Sequence, residues 1–71
     1  MYAIHSTAYG RAFTTTIGRN GIVITEGFDS VVGRNLEEFL LHFAQANNRP
    51  LQEVRMELGH LIEQIKEITG E

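Results

Sequence analysis

The chain has no cysteine and no tryptophan, and only one proline and one lysine among its 71 residues. Without cysteine, disulfides and cysteine-ligated zinc are excluded as staples. No apolar run approaches the roughly 20 residues that cross a bilayer, so no membrane partner is expected. The opening Met1-Tyr2-Ala3-Ile4-His5 lacks the basic stretch and apolar segment of a secretion signal, and cytoplasmic residence is the expectation. Acid is missing locally. Residues 1–25 hold Arg11 and Arg19 but no Asp or Glu, and all 9 acids lie in 26–71. The net charge of -3 therefore hides a mildly positive first part and an acidic second part. A nucleic-acid-binding domain normally carries a basic patch, and two arginines make a thin one.

What is present is ordinary globular composition, 42% hydrophobic and 21% charged, which excludes a disordered chain. The length predicts one domain spanning 1–71. A chain this short buries only about 60% of its unfolded surface, so idealised packing or association with another chain must supply stability. That favours a homo-oligomer.

Asn20-Gly21 is a hairpin signal, because a type I′ turn requires positive φ at both central residues. With these residues as the turn, Arg19 faces Ile22, Ile17 faces Ile24, Thr15 faces Glu26 and Phe13 faces Phe28. A second turn at Gly10-Arg11, of type II′, pairs Tyr9 with Ala12 and Ile4 with Ile17. Strand side chains alternate between faces. One face then collects Tyr2, Ile4, Ala8, Phe13, Ile17, Ile22, Ile24 and Phe28. The other collects Ala3, His5, Thr7, Tyr9, Ala12, Thr14, Thr16, Val23 and Thr25. Two independently chosen turns thus predict one consistent sheet, with strands at about 2–9, 12–18 and 22–28. Gly27 to Gly33 reads as the loop from sheet to helix.

Asn35, with Glu38 three residues on, resembles a capping box and starts a helix over 35–47. Leu36, Phe39, Leu40, Phe43 and Ala44 follow at helical spacing, and Leu41 falls off the stripe. Asn47-Asn48-Arg49-Pro50 ends the helix, with Pro50 suited to open the next. A second helix over 50–69 carries Leu51, Val54, Leu58, Leu61, Ile65 and Ile68, alternating steps of three and four in the manner of a heptad seam. The stripe either covers the chain's own sheet or meets the same helix of a second subunit. Gly59 beside it costs about 1 kcal/mol relative to alanine in a helix and points to close approach of another backbone. The predicted architecture is α+β: three antiparallel strands followed by two helices on one sheet face (βββαα).

The search for chemistry yields little. Glu57 and His60 have the Glu-x-x-His spacing of di-iron bundles, and Glu38 and His42 stand four apart. However, Glu57 lies at the flank of the Leu58–Ile65 seam and His60 behind it, whereas bundle ligands project inward. No metal is expected. There is no cysteine nucleophile, no nucleophile elbow and no phosphate loop at Gly18–Gly21. Glu37 and Glu38 are explained by the helix dipole. No cofactor or catalytic residue is assigned, and an enzyme is not expected.

Three functional readings remain. The first is a small non-catalytic, homo-oligomeric interaction or regulatory protein of adaptor or inhibitor type. Its working surface is either the acidic helical surface or a candidate interaction face of His5, Thr7, Tyr9, Arg11, Thr14, Thr16 and Thr25, and its candidate oligomer seam runs through Leu51, Val54, Leu58, Leu61, Ile65 and Ile68. The second is a nucleic-acid binder using the sheet or a ribbon-helix-helix-like dimer, against which stand the acidic balance and scarcity of lysine. The third is a ligand pocket or enzyme at a subunit boundary, using His5 and Tyr9 roughly 13 Å apart along a strand. A solvated outer face, with threonine present for its strand propensity alone, is the plain alternative to all three. No motif is specific enough to tie the chain to a family.

Overall fold

A computed structural model describes residues 1–71. Its elements run β1 (Tyr2–Ala8), β2 (Arg11–Gly18), β3 (Gly21–Glu26), β4 (Asp29–Gly33), α1 (Leu36–Asn47), α2 (Leu51–Glu57) and α3 (Gly59–Thr69). The fold is α+β, with four antiparallel strands in the order β1-β2-β3-β4 followed by three helices. The reading as three strands and two helices is corrected at two places, β4 and Leu58. No helix is long and apolar enough to cross a membrane.

Both expected turns move by one residue. The β1–β2 loop is Tyr9-Gly10, closed by Ala8 opposite Arg11. Both loop residues have positive φ, 55° and 68°, the type I′ pattern. The β2–β3 loop is Arg19-Asn20, closed by Gly18 opposite Gly21, with the positive φ of 113° on Gly21. Moving a turn by one residue shifts the pairing by two positions along the facing strand. Side chains repeat every two residues, so each keeps its face. Ile4, Ala8, Phe13, Ile17, Ile22 and Ile24 are accordingly buried on one side. Thr15 joins them there and is fully buried, although its Oγ1 and the Oγ of Ser6 have no hydrogen-bond partner.

The segment read as a loop is β4. Gly27, with φ 61°, opens a two-residue turn with Phe28, so Phe28 stands fully exposed at the tip and contributes nothing to the core. Beyond it, Ser30 and Val32 point out, while Val31 and Gly33 point in. Gly33 is a point of close approach. A Cβ there would overlap the backbone of Phe39, and a Cβ on Gly21 would overlap the Gly33 carbonyl. Gly33 lets α1 lie directly on β4, with Phe39 and Leu40 completely buried, and Gly21 leaves room for the neighbouring β4 backbone.

Asn35 caps α1 as expected, its Oδ1 accepting from the Glu38 amide at 2.9 Å. Asn48 ends the helix in the left-handed conformation at φ 54°. The long second helix is broken at Leu58, where φ -97° and ψ 20° leave the helical well, giving α2 and α3. Gly59 follows the break and has no atom within 4 Å of where a Cβ would sit. It marks the bend, since glycine is the weakest helix former after proline, and no backbone approaches it. The bend keeps Val54, Leu58, Leu61 and Ile65 all turned into the core.

Two substitutions test this packing. Gly33→Ala is expected to lower stability by roughly 3 kcal/mol, because backbone cannot yield as a side chain can. Thr15→Val is expected to raise it by about 1 kcal/mol, because it removes a buried hydroxyl that has no partner. Chemical denaturation midpoints measure both.

Candidate interaction surface

The register of the ladders arranges the outer sheet face in rows. One row runs Ala3, Thr16, Val23, Val32, and the next His5, Thr14, Thr25, Ser30, with Thr7 opposite Ala12 beyond it. These side chains are exposed or half-buried, and the helices cover only the opposite face. The middle row is hydrogen bonded. His5 Nδ1 and Thr14 Oγ1 lie 3.2 Å apart, and Thr25 Oγ1 donates to the Thr14 carbonyl at 3.2 Å. None of the residues in these rows is Lys, Arg, Asp or Glu.

Of the residues expected on this face, His5, Thr7, Thr14, Thr16 and Thr25 come together there. Tyr9 and Arg11 do not. Tyr9 occupies the left-handed turn position, at a cost of about 1–2 kcal/mol for a residue with a Cβ, and its side chain swings to the helices. Its hydroxyl donates to Glu53 at 3.0 Å, and Arg49 stands over its ring at 5.7 Å. Partial burial first, then the bond to Glu53, raises the Tyr9 phenol above its ordinary value. His5 and Tyr9 therefore share no face, contrary to the expectation.

Arg11 lies on the helix side because it is paired with inward-facing Ala8. Its guanidinium forms a two-pronged ion pair with Glu26, Nε donating at 2.8 Å, and Nη1 donates to Asn47 Oδ1 at 3.2 Å. The same group stacks 5.1 Å over Phe13. The chain's first turn is thereby fastened to the C-terminal end of α1. Beside it lies a cleft of about 300 Å³ between the β3–β4 hairpin and α1, rimmed by Arg11, Glu26 and Asp29 and floored by Phe13, Ile24 and Phe43. Sequence reasoning missed this cleft and the outward Ser30 and Val32. Phe28-Asp29-Ser30-Val31-Val32 has no apolar–polar alternation to mark the strand.

The stripe read as a candidate oligomer seam faces the chain's own core. Val54, Leu58, Leu61 and Ile65 are buried within the chain's own core, and Leu51 and Ile68 pack against it half-buried. The stripe is covered by the sheet and α1. Glu38 is held by the Arg34 side chain and amide, which keep its carboxyl below the ordinary range. His42 Nδ1 sits 2.7 Å from the Val32 carbonyl. A carbonyl only accepts, so the imidazole carries its proton on that nitrogen. Glu57 and His60 face a hollow of about 210 Å³ beside β1. No three His, Asp or Glu side chains gather as metal ligands would.

The Arg11–Glu26 pair carries a pH signature. Hydrogen bonds from Arg11 lower the Glu26 carboxyl, outweighing the opposing desolvation. A carboxyl lowered on folding stabilises the protein above its unfolded value, and that contribution disappears as pH falls through the folded value. Glu26→Gln is expected to lower the Tm at neutral pH. The gap to the wild type should close as pH drops below the ordinary carboxylate range, as read by thermal unfolding across pH.

No protein-family model matches the chain, and neither does any curated protein or solved structure.

Proposed function

We propose that the chain is a small homo-oligomeric interaction protein that acts by protein–protein contact, without catalysis, through the open side of its sheet. The observation that carries this reading is the uncharged outer face. A solvated protein surface is typically about a quarter to a third Lys, Arg, Asp and Glu. Here an entire sheet face presents threonine, serine, valine and alanine around one histidine. Such side chains are inexpensive to desolvate, and the hydroxyls accept or donate to a partner's polar groups. Charge is placed instead on the helices and in the Arg11–Glu26 lock, on the far side. The nucleic-acid alternative requires cations at the contact, because phosphate neutralisation dominates such binding. Arg11 is occupied by Glu26 on the opposite face, and Arg19 sits at a hairpin tip.

Light scattering over a range of concentrations at low and high salt tests the reading. The expected result is a mass above that of the monomer that changes little with salt, because the contact is uncharged. A monomer at every concentration would remove homo-oligomerisation. Retention on DNA that falls steeply with salt would transfer the assignment to nucleic-acid binding.

A further inference from the structure

The sheet has two edges, and they are built differently. The β1–β2 loop has two residues, closed by Ala8 opposite Arg11. The closing pair of such a hairpin exchanges both backbone hydrogen bonds, and the pattern then alternates along the ladder. Ala8, Ser6, Ile4 and Tyr2 thus turn their backbone groups to β2. Thr7, His5 and Ala3 turn theirs to the free edge. Among the bonds made in turns, loops and caps, none reaches the backbone of these three residues.

Natural edge strands are usually blunted by charge, proline, a bulge or brevity. β1 has seven residues, no Lys, Arg, Asp, Glu or Pro, and an unbroken register. β4, the other edge, has five residues and begins at Asp29. By the same alternation its outward residues are Ser30 and Val32, and His42 already occupies the Val32 carbonyl. One edge is protected and the other is left ready to pair.

We propose that two copies of this chain pair antiparallel along β1 about a two-fold axis at His5. This rests on the homo-oligomeric reading above and specifies its seam. A second copy is the occupant because β1 is complementary to itself. With His5 on the axis, His5 meets the partner's His5 and Ala3 meets the partner's Thr7. Every outward residue then exchanges both of its hydrogen bonds, which no other self-register achieves. On the helix side, Tyr2, 59% exposed in the single chain, falls opposite the partner's Ala8 and gains cover. The arrangement closes on itself. It consumes β1 in both copies and leaves only the protected β4 edges, so growth stops at the dimer. The two four-stranded sheets become one, and their uncharged outer faces become continuous.

The absence of cysteine makes the register directly readable. Hydrogen-bonded antiparallel partners stand about 5.5 Å apart at Cα, within the disulfide range of roughly 4.4–6.8 Å. Under mild oxidation of the full chain, His5→Cys is expected to collect mainly as a covalent dimer. Thr7→Cys, which faces the partner's Ala3, and Phe28→Cys, at an exposed tip, should cross-link at least tenfold more slowly. His5→Pro is the companion variant. The His5 amide has no partner in the single chain, so proline there should preserve the circular dichroism and Tm while weakening association tenfold or more by light scattering. A native dimer in which His5→Cys cross-links no faster than Phe28→Cys, or in which His5→Pro associates normally, would overturn the β1 seam and leave the homo-oligomeric reading standing. A native monomer at all concentrations would overturn both and leave the edge to a foreign strand.

Discussion

The contact on which the rest of this structure depends is the seat of α1 on β4. The backbone of Phe39 rests against Gly33, and the Gly33 carbonyl rests against Gly21. No side chain separates the helix from the sheet there, so Phe39, Leu40 and Phe43 reach full depth in the core. Phe43 then meets Phe13 edge to face with centroids 5.8 Å apart. Interiors pack at crystal-like density and respond to a single methylene. A helix lifted by one methyl group at this point would open the layer into which α2 and α3 fold.

The second organising feature is sidedness. What fastens the helices to the sheet lies on one face, at its ends or on the β4 edge, where His42 meets the Val32 carbonyl. Tyr9 reaches Glu53, Arg11 reaches Glu26 and Asn47, and at the opposite end the Glu71 carboxylate accepts from the Leu36 amide. These are partly exposed contacts of modest individual worth, yet they join β-turn, α1 and α2 at one corner and the chain's end to the start of α1 at another. The outer face takes no part in them. It is free to be a surface because the apolar core lies on the other side.

Much of this was readable from the residues. The alternation of Ile4, Phe13, Ile17, Ile22 and Ile24 set the core face. That assignment survived two turns placed one residue off, because a shift of two in register preserves facing. Asn35 was legible as a cap, since its hydrogen bond to Glu38 is local. β4 was not legible. Five residues between glycines carry too little periodicity to distinguish strand from loop, and Gly33 is glycine because a helix six residues later packs on it. The break at Leu58 was hidden for a related reason. A heptad pattern persists across a bend when both segments face the same core.

The sequence by itself determined the two faces of the sheet, the extent of α1, the inward stripe on α2 and α3, and the absence of acid on the threonine side. These follow from periods of two and of about 3.6 residues, which are properties of neighbours along the chain. Only the tertiary structure decided that Tyr9 and Arg11 belong to the helices, that the Leu51–Ile68 stripe is covered by the chain's own core, and that one sheet edge is capped while the other stays open. Each of these depends on which distant residue occupies the space alongside: Glu53 for Tyr9, Asn47 for Arg11, His42 for Val32. No local pattern encodes that proximity, because it is settled when the helix layer closes over the sheet.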